Sequence, residues 1–349
     1  MVDVSVILPV RNGAQYLEAT LESLRAVREP ALEILVVDDG STDATPALVA
    51  AAAARDPRIV PLAQPGLGLV RALELARHRA AAPLLARLDA DDLAYPERFA
   101  RQLAAFRGDP ELVLLGTAAD RIDAAGRVTG RLYYPETHAA LLGELQRRNP
   151  FIHSTVMLRA DAVAAAGGYR RFFLAAEDYD LWLRLAERGR IGNLPERLGA
   201  WRQHGASVTG TMALRQAFAA ALARRCAALR RRGEPDPSDG RAEPIDFADP
   251  AEDAGAFAAE CRRFRALAFA EPATLAARAP SGADISELLA TRRGAPEAAL
   301  AQAALVNILR GRAAPQGASR ARLLAAAVAI DPARALRLWL AAGSGRGRG

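Results

Sequence analysis

The 349-residue sequence contains no lysine, only two cysteines, few aromatic residues and no long apolar run. All 46 basic residues are arginine, which we attribute to GC-rich coding. The cysteines, Cys226 and Cys261, are too few for a disulfide framework and lack metal-ligand spacing, so we expect a reducing compartment. No stretch approaches the roughly 18 uninterrupted apolar residues of a membrane-spanning helix. Aromatic residues make up only 5%, and such sparse stacking surface predicts no nucleic-acid partner.

The remaining composition is that of a folded protein. Hydrophobic residues at 51% and charged residues at 25% can support a sizeable core. The formal net charge of +6 fits a solvated basic surface, or else attraction to anionic lipid or a phosphorylated substrate. The opening MVDVSVILPV has an acidic residue before a strand-like run, which does not resemble a signal peptide. We therefore expect a cytoplasmic protein, with peripheral contact to the inner membrane face as the alternative.

Strand-like and helix-like segments alternate in the first part of the chain. Residues 4–10 and 33–39 are apolar runs typical of buried strands, and residues 58–62, 84–88 and 153–158 are further strand candidates. Helical periodicity separates the first four of these segments. The alternation predicts an α/β fold with a mostly parallel sheet flanked by helices. In such sheets, ligands bind at the carboxyl ends of the strands.

The second part of the chain has a different pattern. Beyond about residue 211 the sequence is rich in arginine and alanine at helical spacing, with a loop near 233–250 and a glycine-rich tail that we expect to be disordered. We therefore predict a catalytic domain over 1–210 and a mainly helical region over 211–349.

The stretch RLDADD, from Arg87 to Asp92, places three aspartates directly after a predicted strand. Their carboxylates repel one another unless a cation or hydrogen-bond donors hold them. Asp89 and Asp91 can offer oxygens to a hard divalent cation or to ribose hydroxyls. The alternative is that these residues are turns and caps, and we predict that Asp92 caps the helix after Pro96.

A second acidic pair follows the second predicted strand in VVDDGSTD. Asp38 and Asp39 can accept hydrogen bonds from a nucleotide base or ribose. The alternative is a strand end followed by turn and cap residues, which would be supplied by Ser41, Thr42 and Asp43. Because both acidic clusters follow strands of one parallel sheet, we expect them on the same rim.

The chain resembles the inverting glycosyltransferases of family 2, which have the Rossmann-like GT-A fold. The resemblance spans about residues 1–210 and rests on ordered blocks: VSVILPVRNGAQYLEATLESL, EILVVDDGSTDAT, RLDADDLAYPERF, HSTVMLR, GGYR, AEDYDLWLRLAERG and NLPERLGAWRQHGASVT. It implies a GT-A domain followed by an α-helical C-terminal extension. The sequence departs from many relatives at Glu74, where they carry asparagine, and near Ala76, where they carry glycine.

The resemblance assigns roles at the donor side. Pro9, Asp38 and Asp39 correspond to positions that hold the nucleotide of an activated sugar. Asp89 corresponds to the position that faces the ribose or sugar. Asp91 corresponds to the aspartate that coordinates Mn²⁺ or Mg²⁺ at the donor diphosphate.

The resemblance also assigns roles at the acceptor side. Asp178 corresponds to the general base, and His204 corresponds to a position that completes the metal site in some members. Glu177, His153 and Trp182 are candidates to line the acceptor pocket. The alternative for His153 is a structural histidine at a strand end, and for Trp182 it is core packing.

The implied activity is metal-dependent, inverting, hexosyltransferase-type transfer of a sugar from a nucleotide-diphosphate sugar, with a UDP-sugar as the preferred donor. The acceptor would be a hydroxyl of a saccharide or a lipid-linked saccharide in surface polysaccharide or glycoconjugate biosynthesis. The alternatives are a sugar-phosphate nucleotidyltransferase and a non-catalytic protein that binds through the arginine-rich C-terminal region. The first is disfavoured because those enzymes usually carry a lysine near the first strand.

Overall fold

A computed structural model describes residues 2–203, 210–247, 252–291, 295, 297–311 and 318–330. The chain divides into two compact units. The first comprises Met1–Ser207 with Cys226–Asp236, and the second comprises Val208–Arg225 with Pro237–Gly349. His204 and the glycine-rich tail lie outside the described residues.

Within the described residues, the first unit is built around one nine-stranded sheet. The strands are β1 (Val4–Val10), β2 (Leu32–Asp38), β3 (Ile59–Ala63), β4 (Leu84–Arg87), β5 (Leu93–Ala94), β6 (Leu112–Ile122), β7 (Val128–Leu132), β8 (Met157–Arg159) and β9 (Arg190–Arg202). Their order is β3-β2-β1-β4-β8-β6-β9-β5, with β7 paired to β6. The first four strands pair in parallel, as the alternating sequence pattern predicts.

The later strands make the sheet mixed. β8 is antiparallel to both of its neighbours, β4 and β6, whereas β9 runs parallel to β6 and antiparallel to β5. The predicted strand over 153–158 is a 3-10 turn at His153–Thr155 followed by the short β8. The turn forms because side chains of a neighbouring helix bind its backbone, as described below.

Helices cover the sheet on both faces. They are α1 (Leu17–Arg25), α2 (Thr45–Arg55), α3 (Leu69–Arg79), α4 (Arg98–Gly108), α5 (His138–Leu145), α6 (Ala160–Ala165) and α7 (Glu177–Leu185). Every residue of β1 is buried, because a central parallel strand has helices on both sides. Val6, Leu8, Leu21 and Phe99 belong to one core cluster. Burying a side chain of this size contributes about 1.5–3 kcal/mol.

The second unit is helical where it is described, as predicted for the C-terminal region. Helix α8 (Gly210–Arg231) crosses the boundary between the units, and α9 (Ala258–Leu267), α10 (Pro272–Ala277), α11 (Gly282–Leu289), α12 (Ala298–Arg310) and α13 (Ala318–Ile330) follow. Phe218 packs its ring against Phe247 and Phe264, at centroid distances of 5.1 and 5.4 Å. None of the helices in the described part of the chain is long and apolar enough to cross a membrane.

Candidate active site

The loops after β1 and β2 are locked to each other. Asn12 N–H donates to Ser41 Oγ at 2.8 Å, and Thr42 N–H donates to Asn12 Oδ1 at 2.8 Å. Asp43 accepts the N–H groups of Ala14 and Thr45. The turn residues of VVDDGSTD therefore join two strand ends into one rigid rim.

The two acids of the second predicted cluster differ in their surroundings. Asp38 lies at the end of β2, half-buried, and its Oδ1 accepts Ser41 N–H at 3.1 Å. Asp39 is buried, and its carboxylate accepts Gln64 Nε2 at 2.7 Å and Gly68 N–H at 3.0 Å. Asp39 thus ties the loop before α3 to the rim. Pro9 lies buried in β1, directly opposite Val37 of β2.

Asp89 is held from two sides at the end of β4. Arg87 Nη2 donates to Asp89 Oδ1 at 2.5 Å, and Ser154 Oγ donates to Asp89 Oδ2 at 2.7 Å. Burial is the largest single influence and opposes ionisation of Asp89, but the Arg87 cation, His153 and the hydrogen bonds from Ser154 and Arg87 together lower the pKa of Asp89 below its usual range. Because the side chain is still 39% exposed, the fixed carboxylate remains accessible to a ligand.

Arg87 is the charged centre of this region. Its side chain is only 2% exposed, and within the described residues its Nε and Nη1 atoms have no hydrogen-bond partner. Unpaired buried N–H groups are costly, so water or a ligand is expected to bind there. The Arg87 cation also favours ionisation of the acidic motif Glu177-Asp178, because it lowers the pKa of both carboxyl groups.

Two side chains of α4 fix the backbone around Asp89. Arg98 Nη2 donates to the carbonyls of Arg87 and Val156 at 2.8 and 3.2 Å. Gln102 Nε2 donates to the carbonyl of Thr155 at 2.9 Å. Of these contacts, the one from Gln102 takes up the carbonyl of Thr155, and residues 153–155 form a turn rather than pairing with another strand.

The other two acids of RLDADD also have distinct places. Asp92 is buried, and its Oδ1 accepts Arg202 N–H at 2.7 Å. The prediction that Asp92 caps the next helix is wrong, because α4 begins at Arg98 without a side-chain cap. Burial and the Asp89 charge raise the pKa of Asp92 to about 8. Asp91 is half-buried, and its backbone carbonyl accepts Arg202 Nε at 2.7 Å.

The acidic motif Glu177-Asp178 lies at the start of α7. Glu177 is its first residue and is buried, and within the described residues its Oε2 has no hydrogen-bond partner. Burial, with the adjacent Asp178 charge, raises the pKa of Glu177 to about 7. Just before the helix, Ala175 has φ +75°, a conformation that costs a non-glycine residue about 1–2 kcal/mol.

Asp178 and Asp180 have opposite surroundings on the same helix. Asp180 is fully buried and saturated, since Arg170 Nη2 contacts its Oδ1 at 2.5 Å and Arg184 Nη2 contacts its Oδ2 at 2.6 Å. Asp178 is half-buried and accepts Asn149 Nδ2 at 2.8 Å. No arginine contact is described for Asp178, so its carboxylate is the better suited of the two to take a proton.

The acceptor-side candidates His153 and Trp182 meet in one aromatic cluster. His153 Nε2 lies 3.1 Å from Tyr169 Oη, and its ring is 5.7 Å from the Trp182 ring. Burial and the Arg87 cation lower the pKa of His153 to about 3, so the imidazole is neutral. Trp182 is fully buried, one helical turn after Asp178, and its Nε1 has no partner among the described residues. These contacts link α7 to the turn beside Asp89.

The carboxylates near the rim are of the chemical type that divalent cations prefer. Within the described residues, no group of three or more His, Cys, Asp or Glu side chains could hold a metal ion. Mg²⁺ sites commonly use only one or two carboxylates and complete the shell with substrate phosphates and water. Asp91, the predicted carboxylate ligand, is within that number, and the other predicted ligand, His204, lies outside the described part.

Four site residues went unassigned in the sequence analysis: Arg87, Asn149, Ser154 and Tyr169. Arg87, Ser154 and Tyr169 stand inside or beside the motifs RLDADD, HSTVMLR and GGYR. Their positions next to predicted site residues were a usable signal. Asn149 precedes Pro150 in an unassigned stretch and offered no such signal.

Comparison with known proteins identifies the family of this chain. Residues 5–165 match the family model described as glycosyl transferase family 2. The amylovoran biosynthesis glycosyltransferase AmsE of Erwinia amylovora is 34% identical over 203 residues, covering 57% of this chain and 74% of AmsE. The chain therefore belongs to glycosyltransferase family 2, which confirms the resemblance. Its relatives include proteins named for amylovoran biosynthesis and for O-antigen biosynthesis.

Solved structures support the fold. TarS 1-349 of S. aureus in complex with UDP-GlcNAc has a TM-score of 0.55 at 17% identity, covering 98% of this chain and 92% of that one. The mannosyltransferase PcManGT of Pyrobaculum calidifontis, in complex with GDP-Man and Mn²⁺, has a TM-score of 0.51 at 18% identity, covering 98% and 86%. At these identities the likeness shows the fold alone, which is of the GT-A type, with the C-terminal helices predicted from sequence.

Proposed function

We propose that this glycosyltransferase catalyses metal-dependent, inverting, hexosyltransferase-type transfer from a nucleotide-diphosphate sugar to a hydroxyl of a saccharide or lipid-linked acceptor. The observation that carries this proposal is that the 3-10 turn His153–Thr155 contacts both the RLDADD motif and the helix that begins with Glu177-Asp178. Ser154 of that turn binds Asp89, and the neighbouring His153 packs on Trp182, one helical turn from Asp178. We assign the reaction to residues 1–210.

The donor side follows from the rim after β1, β2 and β4. We assign Pro9, Asp38 and Asp39 to the nucleotide, with Asp39 acting chiefly through the loop that it anchors, and Asp89 to the ribose or sugar. Asp91, with His204, would hold Mn²⁺ or Mg²⁺, which supplies charge neutralisation to the departing diphosphate. The complexes of TarS with UDP-GlcNAc and of PcManGT with GDP-Man and Mn²⁺ support this class of donor. We put a UDP-sugar first.

The acceptor side is built on α7. The acceptor hydroxyl gives its proton to Asp178 while its oxygen bonds to the anomeric carbon. The bond between that carbon and the diphosphate oxygen breaks, and its electron pair leaves with the nucleoside diphosphate. Attack from the face opposite the leaving group inverts the anomeric centre. Glu177, His153 and Trp182 are the groups that we assign to the acceptor pocket.

The place of the reaction is a separate proposal. The similarity to AmsE, which is named for amylovoran biosynthesis, supports a role in surface polysaccharide or glycoconjugate biosynthesis, and we place the reaction in the cytoplasm. Peripheral contact with anionic lipid would use the arginine-rich helix α8. The contacts of that helix give this little support, since Arg230 binds Glu187 and Asp236, and Arg225 lies 3.7 Å from Glu260.

Nucleoside diphosphate release tests the proposed function. Purified protein is incubated with Mn²⁺, an acceptor extract and a panel of UDP- and GDP-sugars. It is expected to release nucleoside diphosphate from one donor class, and chelation with EDTA is expected to abolish this release. Asp91→Ala should lower the rate at least 100-fold with the fold intact. Asp161→Ala, at an exposed aspartate of α6, is the matched control and should keep the rate. Equal rates for the two variants would contradict the role of Asp91.

A further inference from the structure

One asparagine contacts the proposed base directly. Asn149 Nδ2 donates to Asp178 Oδ2 at 2.8 Å, across 29 positions of sequence. Asn149 Oδ1 accepts Phe151 N–H at 3.1 Å. Because the carbonyl side of the amide is occupied by a backbone donor, the NH₂ group must face Asp178, and a flipped amide would lose both bonds.

The segment that carries Asn149 is anchored in the sheet. Asn193 of β9 is buried and donates from Nδ2 to the carbonyl of Pro150 at 3.2 Å. A side chain at Gly116 of β6 would lie 2.1 Å from Asn193 Oδ1 and 2.8 Å from the Phe151 ring. The strand backbone therefore packs directly on this anchor, and Asn149 is presented from a rigid support.

The anchored segment also packs on the helix of the base. The Phe151 ring meets the Trp182 ring edge-on, with centroids 6.1 Å apart. Trp182 follows Asp178 by one turn of α7, so the segment contacts the helix at two points. Asp178 Oδ1 accepts the N–H of Tyr179 at 2.6 Å. Each carboxylate oxygen thus has one fixed donor and keeps a second lone pair for a proton.

We propose that Asn149 is a positioning residue that orients the Asp178 carboxylate and holds it in its ionised form for proton abstraction. The proposal rests on the proposed function of Asp178 as the base. Within the described residues, the amide nitrogen of Asn149 contacts Asp178 and its amide oxygen contacts the Phe151 N–H, so we assign it a role that is exerted through Asp178.

The hydrogen bond from Asn149 predicts the direction in which the pKa of Asp178 changes when Asn149 is replaced. Burial raises the pKa of Asp178, whereas the hydrogen bond from Asn149 stabilises the charged form and lowers it. The titratable and charged groups that act on Asp178 from the packed elements are Glu177 on α7, Arg87 on β4 and Tyr169 after α6. Substitution of Asn149 leaves these groups in place. Without the Asn149 donor, the base is expected to hold its proton to higher pH.

The pH profile of kcat/KM with the responsive donor and Mn²⁺ tests this role. Asn149→Ala should shift the acidic limb of the profile to higher pH by about 1 unit. At pH values below that limb, kcat/KM should therefore fall roughly tenfold. The loss should fall on kcat rather than on KM for the donor. Asn149→Asp keeps an acceptor for Phe151 N–H, so it preserves the segment, and it should move the limb at least as far because two carboxylates would share one proton.

Asn307→Ala is the matched control. Asn307 of α12 also donates from Nδ2 to carbonyl groups, those of Phe269 and Ala270, and its loss should leave the limb unchanged. An unchanged limb in both Asn149 variants overturns the proposal, as does a rate lowered by one factor at every pH. Absence of any nucleoside diphosphate release by the wild-type protein would instead count against the proposed function.

Discussion

The acids of this site differ mainly in their burial and hydrogen-bond partners, and less in their spacing in the sequence. Asp180 is saturated by two arginines and Asp39 is tied to Gln64 and Gly68, whereas Asp89 is held by Arg87 but remains accessible. Glu177 is buried with one oxygen unpaired. Buried, incompletely paired carboxylates are common at functional sites because their proton affinity is tuned by the protein.

Glu177 should make the stability of the protein depend on pH. Its pKa is raised from 4.5 to about 7 in the folded state, so the folded protein binds an extra proton between these values. Stability from this group is therefore present below pH 4.5 and is lost as the pH rises towards 7. The stability of Glu177→Gln, relative to wild type, should increase by about 2 kcal/mol from pH 5 to pH 8.

Urea denaturation at the two pH values measures this difference. Glu18→Gln, an exposed first-turn glutamate of α1, is the control and should show no such change. The same small difference for both variants would mean that Glu177 is ionised at neutral pH in the folded protein.

Among the elements, the loop between α6 and α7 depends on its glycines. Gly168 has φ +70°, and a Cβ there would lie 2.6 Å from Glu74 Oε1. Glu74, where many relatives carry asparagine, accepts Tyr169 N–H at 2.9 Å and pairs with Arg77 at 2.7 Å. The departure noted in the sequence is thus accommodated by a contact between α3 and this loop.

Gly168→Ala should destabilise the protein more than Gly167→Ala does. Gly167 also has a positive φ, +84°, but a Cβ there meets nothing within 4 Å, so it reports backbone strain alone, about 1–2 kcal/mol. A Cβ at Gly168 would displace the Glu74 carboxylate and its hydrogen bond from Tyr169 N–H, which should add about 1 kcal/mol. Urea unfolding midpoints of both variants measure the difference, and equal midpoints would show that the Glu74 contact is unimportant.

The strands were predictable where hydrophobicity alone defines them. β1 and β2 are continuous apolar runs, and their predicted and observed bounds differ by at most one residue. The segment 153–158 was misassigned because Gln102, distant in sequence, binds its backbone. Ser154 and Asn149 contact site acids 65 and 29 positions away, and such contacts leave no local pattern in a single sequence.

For the whole molecule, the arginine-rich composition has a structural use. Arg230 bridges Glu187 and Asp236, Arg232 pairs with Glu234, and Arg170 contacts Asp180. Arginine suits such multiple contacts because its planar group carries five donors. These arginines are therefore engaged within the protein, so they are not free to bind an anionic surface.

The central claim is that Asp178 is the base of a glycosyl transfer. Nucleoside diphosphate release by the Asp178→Asn variant tests this claim most directly. Asp178→Asn keeps the size of the side chain but cannot accept a proton, so release with donor, acceptor and Mn²⁺ should fall by 100-fold or more. Asp161→Asn should match wild type, and thermal unfolding should be similar for all three proteins. Wild-type release by a folded Asp178→Asn protein would contradict the account.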